Sequence, residues 1–341
     1  MKVLVIGGTG VISREIIPLL LEKKMEVTVI NRGYRSKVLP GEVEYVQGDK
    51  RDRSWFFAHM QQRKFDAVID MISYTIEDAQ LTIDAFGDRV MQYVFCSTAA
   101  AYQRPFQTLP AREDGEFLLD QQSFLYGYQK AQMERYLMAE HAKRRLAITI
   151  LRPSLTYGIG CVNVGVLRQN YGIVDRILQG KPLIMFGDGW TPWQFTFAKD
   201  LAKAFVGALG NEKTYGQAYH ATNSDLHYWR DLYVEFGKIL GKQPHILCLP
   251  TEMLQLVNPT LFDHLHDEKQ YPSVFDNTKI ERDIKEFQPV ISLHDGLLQL
   301  LRWYEEEHHG IDLAKEALED QLVQWHKEFR LTLQGKRFLE S

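Results

Sequence analysis

The chain has 341 residues, 45% hydrophobic and 25% charged, with a formal net charge of −4. That length allows one large domain or two moderate ones with an ample core, and the acidic balance argues against nucleic acid as a partner. Cys96, Cys161 and Cys248 are scattered and odd in number, which does not suggest a disulfide framework or zinc knuckle and fits a reducing cytoplasm best. No apolar run approaches the roughly 18 residues that span a bilayer, so a soluble, cytoplasmic protein without membrane attachment is expected.

The first half alternates short apolar runs with helical patterns. Lys2 to Ile6 reads as a buried strand. The glycine-rich stretch Gly7-Gly8-Thr9-Gly10-Val11-Ile12-Ser13 follows it, and Glu15 to Lys23 reads as a helix. Pro18 inside that helix predicts a kink or a distorted turn, because an interior proline costs about 3 kcal/mol. Further strands are expected at Met25–Ile30, Val43–Val46, Ala67–Ile72, Gln92–Cys96 and Ala147–Leu151. Between them, Trp55–Arg63, Ile76–Phe86 and Tyr126–His141 have helical lengths or periods. Strands that alternate with helices imply right-handed crossovers and a parallel, doubly wound sheet of the Rossmann kind. Ligands in such sheets bind outside the carboxyl ends of the strands.

After Tyr157-Gly158-Ile159-Gly160 glycines, prolines and aromatics become frequent, with further helices at Asp200–Leu209 and Tyr228–Leu240. The expected organisation is α/β: a dinucleotide-binding domain over residues 1–160, to which segments near 195–225 return, and a smaller C-terminal substrate-binding lobe with terminal helices over most of 161–341. Leu313, Leu318, Leu322, Trp325 and Phe329 recur at helical spacing. They predict an amphipathic helix packed on its own domain or on a sister subunit.

The glycine stretch sits where a strand gives way to a helix. Glycines let the backbone approach a pyrophosphate, and the helix N-terminus offers free N–H groups and a favourable dipole. Gly7, Thr9, Gly10, Val11 and Ile12 are therefore candidate cofactor contacts, and the Ser13 hydroxyl could itself reach a phosphate. The second strand ends at Asn31-Arg32-Gly33, without the acidic residue that binds the ribose hydroxyls of NAD. Asn31 can still bond a ribose hydroxyl, Arg32 could pair with a 2′-phosphate, and Arg35 and Lys37 add positive charge nearby. The expected cofactor is NAD(P), with NADP favoured over NAD. Asp49, after the third strand, is placed to accept from the adenine amino group.

Tyr126 and Lys130 are four residues apart, on one helical face. A phenol has a pKa near 10, and an adjacent ammonium lowers it by favouring the phenolate. Such a pair can remove a proton from an alcohol while hydride leaves its carbon, or return it. The end of the fifth strand, Phe95-Cys96-Ser97-Thr98, offers Thr98 or Ser97 to orient a substrate oxygen.

Together these elements resemble the extended short-chain dehydrogenase/reductase superfamily, specifically the NAD-dependent epimerase/dehydratase group, over most of the chain to about Tyr304. The family's Gly-x-x-Gly-x-x-Gly fingerprint is matched by Gly7 and Gly10, with Ser13 in the third place. The resemblance maps the catalytic Ser or Thr to Thr98, four residues before Tyr102, and the Tyr-x-x-x-Lys pair to Tyr126 and Lys130. Leu151-Arg152-Pro153 with Tyr157-Gly158 is similar to the sixth-strand signature and brings Pro153 to the cofactor. The resemblance implies an oxidoreductase or epimerase acting on a small-molecule hydroxyl or carbonyl, such as a sugar nucleotide, and a homodimer through helices that include the Tyr126 helix. Dehydratases of the group carry an Asp-Glu pair just after the threonine. Ala99 and Ala100 stand there, so an elimination that needs a second acid and base is not expected. Asn31-Arg32-Gly33 and Asp70-Met71-Ile72-Ser73 resemble a divergent branch that includes chloroplast stem-loop RNA-binding proteins. A cofactor-binding, RNA-associated or regulatory protein with a vestigial site is the alternative.

Asp263-His264-Leu265-His266-Asp267 offers two histidines but no third or fourth ligand, and is expected to be a polar surface loop without metal. His308-His309 reads as a solvated helix end. Trp193, Phe195 and Phe197 read as lobe packing, together with Trp190. Arg230 and Arg282 are cations that could meet a phosphate.

Overall fold

A computed structural model describes residues 1–33, 39–160, 164–307 and 310–334. Arg35, Lys37, Cys161 and the His308-His309 pair lie outside the described residues.

The chain runs β1 (Lys2–Ile6), α1 (Ser13–Glu22), β2 (Glu26–Asn31), β3 (Glu44–Gln47), α2 (Arg53–Met60), β4 (Ala67–Asp70), α3 (Ile76–Phe86), β5 (Gln92–Cys96), α4 (Leu125–Arg144), β6 (Ile148–Pro153) and β7 (Leu155–Tyr157). It continues through α5 (Tyr171–Gln179), β8 (Pro182–Phe186), β9 (Pro192–Trp193), β10 (Phe195–Phe197), α6 (Ala198–Ala208), β11 (Gln217–Ala221), β12 (His227–Tyr228), α7 (Asp231–Leu240) and β13 (His245–Leu249). The remaining helices are α8 (Thr251–Val257), α9 (Pro259–His264), α10 (Thr278–Asp283), α11 (Leu293–Glu306) and α12 (Leu313–Gln334).

Among the described residues the main sheet has seven parallel strands in the order β11-β6-β5-β4-β1-β2-β3. Val3, Leu4, Val5 and Ile6 are fully buried, because helices cover both faces of a parallel sheet and leave no polar side. One face packs α1 and α6 through Ile16, Ile17, Leu20, Leu201 and Phe205. The other packs α3 and α4 through Ile83, Phe86, Met133 and Leu137. The chain winds outward from β1 to β3 and then restarts on the other side of β1 at β4. That reversal opens a crevice at the carboxyl ends of β1 and β4.

The molecule divides into two compact units. The first comprises Met1–Gly160, Gln194–Leu226 and Ser273–Ile291, and holds the main sheet. The second comprises Cys161–Trp193, His227–Pro272 and Ser292–Ser341. Within it, α12 is tied down by the fully buried Arg176 of α5, which pairs with Glu316 at 2.9 Å, Glu319 at 3.5 Å and Asp320 at 2.9 Å.

Several expectations need correction. The first helix continues through Pro18, which lies on its exposed face. The Asp263–Asp267 stretch is no surface loop. It ends α9 and enters a π-turn over Leu265–Lys269, with His264 only 2% exposed and its pKa pulled down to about 3, chiefly by burial. The stripe on α12 is only partly covered. Leu322 is buried, but Leu313, Trp325 and Phe329 are exposed in the single chain.

Candidate active site

The turn after β1 is built around backbone geometry that favours glycine. Gly7 has φ +85°, and a Cβ there would come within 2.4 Å of Ile72 Cγ2. Ser13 opens α1 and is 1% exposed. Its hydroxyl donates to the Gly7 carbonyl at 2.7 Å and accepts from the Gly10 N–H at 3.1 Å. It therefore braces the turn from within and does not reach out to a phosphate, which corrects the sequence-based expectation. Of the leading N–H groups of α1, that of Arg14 is accepted by the Gly10 carbonyl at 3.0 Å, and those of Glu15 and Ile16 by the Ile12 carbonyl at 3.0 and 3.1 Å.

A cleft of about 480 Å³ lies over the switch point. Gly7, Thr9, Gly10, Asn31, Arg32 and Asp49 all line it, as do Lys50, Ile72 and Tyr74. Six of the expected cofactor residues thus converge from three strand ends. Val11 and Ile12 lead into α1 beside the cleft without lining it, and Ile12 packs partly on the core. Pro153 is the last residue of β6, paired in register with Ala221, and also lies outside the lining.

Asn31 is oriented by its neighbours. Its Oδ1 accepts from the Gly33 N–H at 2.8 Å and the Tyr45 hydroxyl at 2.9 Å. A backbone N–H can only donate, so the oxygen must face Gly33. The Nδ2 group is then left as a buried donor without a partner among the described residues. Asp49 accepts from the Arg51 N–H at 2.9 Å through Oδ1.

The second cluster lies around α4. Gly127 permits the close approach: a Cβ there would come within 2.2 Å of the Ala100 carbonyl. The helix therefore runs tightly against the turn Ala99–Ala101 that follows Thr98. Tyr126, Lys130 and Glu134 share one face of this helix at four-residue spacing. Tyr126 is 40% exposed, whereas Lys130 and Glu134 are buried. The Lys130 ammonium donates to the carbonyls of Ser73 and Cys96, each at 2.7 Å, and lies 4.7 Å from the Tyr74 ring centroid. Burial holds its pKa below the ordinary lysine value. The Tyr74 ring in turn meets that of Tyr126 at 6.3 Å. Because Tyr74 also lines the cleft, it joins the two clusters.

Thr98 and Ser97 separate cleanly. Ser97 donates to Glu134, which is held by Arg152 through Nε at 3.1 and 3.0 Å. Arg152 also donates to the Tyr102 hydroxyl, which meets His220 Nε2 at 2.8 Å. Burial, the largest effect, with Arg152 adding, drives the His220 pKa down to about 3, so the neutral ring accepts the tyrosine proton. Ser97 is thus committed to a buried polar chain. Thr98 Oγ1 accepts from the Ala100 N–H at 3.2 Å, and its own proton remains available to a substrate oxygen.

The sequence reading missed Lys50 and Tyr74. Lys50 is 2% exposed and bonded to Asp70 and Ser73. A lysine after a Gly-Asp turn reads as solvated, and only Asp70, a carboxylate ending an otherwise apolar strand, signalled a buried partner. Trp193, Phe195 and Phe197 are buried, while Trp190 is exposed with the Arg230 guanidinium 4.3 Å from its ring centroid. Arg282 pairs with Asp283 at 2.8 Å.

Residues 3–221 match the model of the NAD dependent epimerase/dehydratase family. The chain belongs to that family. Among its relatives, 2′-dehydrokanamycin reductase of Streptomyces kanamyceticus is 26% identical over 292 residues, 84% of this chain and 80% of that one. The chloroplast stem-loop binding protein of 41 kDa b from Arabidopsis thaliana is 25% identical over 318 residues, 87% of this chain and 77% of that one. The UDP-glucose 4-epimerase of Thermotoga maritima, solved with UDP-glucose, superposes with a TM-score of 0.74 at 18% identity, covering 91% of this chain and 100% of that one. The UDP-glucuronic acid 4-epimerase of Bacillus cereus, solved with UDP-glucuronic acid and NAD, superposes at 0.71 with 21% identity, covering 90% and 99%. The superpositions show the epimerase/dehydratase fold. Among the described residues no helix is long and apolar enough to cross a membrane.

Proposed function

We propose that this family member is an NAD(P)-dependent reductase or epimerase that acts on a hydroxyl or carbonyl of a sugar-like small molecule. The observation that carries the reading is the burial of Lys130 between the carbonyls that follow β4 and end β5, on the same helix face as the exposed Tyr126. A surface lysine has no reason to pay that desolvation penalty.

The cleft residues fit a dinucleotide. The Gly7–Gly10 turn and the positive end of the α1 dipole would take the pyrophosphate. Asp49 would accept from the adenine amino group. Asn31 Nδ2 supplies a donor without a partner, suited to a ribose or 2′-phosphate oxygen, and Arg32 a cation beside it. No acidic acceptor lines this end of β2, which favours NADP. When bound, the nicotinamide supplies or accepts hydride.

In the reducing direction Tyr126 donates its phenolic proton to the substrate oxygen as the carbonyl carbon is reduced, and Lys130 stabilises the resulting phenolate. In oxidation the phenolate takes the hydroxyl proton back. Thr98 holds the substrate oxygen in line. Two of the three Lys130 N–H donors are engaged by carbonyls, which fixes the ammonium and leaves one for a ligand hydroxyl. Ala99 and Ala100, both buried, provide no second acid or base for an elimination.

The substrate class is drawn from the 2′-dehydrokanamycin reductase and the UDP-glucose and UDP-glucuronic acid epimerases among the proteins this chain resembles. The test is NADPH consumption by the purified protein with a panel of keto-sugars, covering nucleotide-linked and aminoglycoside forms. Turnover that falls at least about 100-fold in Tyr126→Phe, with NADPH still bound, supports the reading. Turnover unchanged by that substitution overturns it.

A further inference from the structure

The catalytic reading uses Tyr126, Lys130 and Thr98, but not the charged side chains that lie beside them. Lys50 donates to Asp70 Oδ2 at 2.7 Å and to Ser73 Oγ at 2.6 Å, and both members of the ion pair are 1% exposed. Asp70 Oδ2 also accepts from Ser73 Oγ at 2.8 Å and Thr82 Oγ1 at 2.6 Å. Its Oδ1 accepts the N–H groups of Ile72 at 3.1 Å and Ser73 at 3.0 Å. Five donors from three segments thus converge on one carboxylate. Ser73 is held by its amide and its hydroxyl, and its carbonyl is the group that receives the Lys130 ammonium.

A buried ion pair is often no more stabilising than well-packed apolar side chains of the same volume. Stability alone therefore gives little account of a lysine and an aspartate at this point in the sheet. Their place, one residue removed from Lys130, does.

We propose that Lys50 and Asp70 are positioning residues for Lys130: the pair locks the Ser73 turn, the Ser73 carbonyl locks the ammonium, and the two charges set the field around it. The proposal rests on Lys130 being the partner of Tyr126, but its test does not depend on turnover.

The groups that face Lys130 give the sign of each effect. Burial lowers its pKa most, whereas Cys96 from β5, Asp70 from β4 and Glu134 from α4 raise it. Lys50 lowers it, and the Tyr74 ring lies over the ammonium. Removing the Lys50 charge should therefore raise the titration midpoint of Lys130. Removing the Asp70 charge should lower it.

The experiment is an NMR titration of the full chain carrying lysine labelled with carbon-13 at the ε position, with the Lys130 signal assigned by its loss in Lys130→Arg. Lys50→Met is expected to move the midpoint up, and Asp70→Asn down, each by about one pH unit. The double variant Lys50→Met/Asp70→Asn leaves no charge unpaired and serves if a single variant does not fold. It should return the midpoint near the parental value, while the two ε protons of Lys130, distinct when the side chain is fixed, move toward equivalence. Folded variants in which the midpoint stays put, or both single substitutions shift it the same way, overturn the proposal, as does a double variant whose ε protons remain as distinct as in the parent. Opposite shifts without any sugar turnover would leave the positioning role standing and remove the catalytic one.

Discussion

Asn31 shows how one hydrogen bond decides what a side chain offers a ligand. Because the Gly33 amide and the Tyr45 hydroxyl occupy its oxygen, only its nitrogen remains, and a donor selects acceptors. Replacing it by aspartate would put a carboxylate at the end of β2, the arrangement that binds a free ribose diol and repels a 2′-phosphate. Asn31→Asp is therefore expected to weaken NADPH at least about tenfold while leaving NADH unchanged or improved, read by fluorescence titration with both dinucleotides. Arg32→Ala should also weaken NADPH more than NADH, and equal losses would remove the 2′-phosphate argument. At this scale the structure places Gly7, Asp49, Thr98, Tyr126 and Lys130 where the sequence locates them, at strand ends or on α4. The sequence was uninformative where a charge is buried. Lys50 looks solvated in the sequence, and although Asp70 ends an apolar strand, nothing local names Lys50 as the partner that comes within 2.7 Å of it.

Helix α4 is the element on which the site depends, and Gly127 fixes its seat. A single methyl at that position would press on the Ala100 backbone, which has no flexible end to yield. Gly127→Ala is expected to cost about 1–3 kcal/mol in denaturant unfolding and to lower turnover beyond that loss, because the shift draws Lys130 from the carbonyls of Ser73 and Cys96. A variant with parental stability would show that α4 is not held at this point. The elements themselves were largely legible. β5 and α3 fall on the expected residues, since an apolar strand and a capped amphipathic helix carry strong local signals. β11 was not called as a strand, because Gln217-Ala-Tyr-His-Ala contains polar residues. They are accommodated by pairing with β6 and by contacts such as the one between His220 and Tyr102.

At the scale of the molecule, the second unit depends on α12 and on its buried Glu319. Burial pushes this carboxyl up to about 7, against the opposing pull of Arg176. A carboxyl raised in the folded state contributes stability that is fully present below its unfolded value, near 4.5, and lost as pH rises through about 7. Glu319→Gln lacks that term. Relative to the parent, it should gain up to about 3 kcal/mol between pH 5 and pH 8, as measured by unfolding at the two values, and a constant difference would contradict the assignment. The sequence anticipated a helix here but not its buried side, because Glu319 faces inward opposite Arg176 while Trp325 and Phe329 face out. For the protein as a whole, the proposed function turns on a dinucleotide held in the cleft over β1 and β4, beside Lys130. The most direct measurement is calorimetric titration of the parent and Lys130→Met with NADPH and NADH. Saturable binding of at least one dinucleotide to the parent is expected, weakened about tenfold or more in the folded variant. Failure of the folded parent to bind either one would contradict the proposed function.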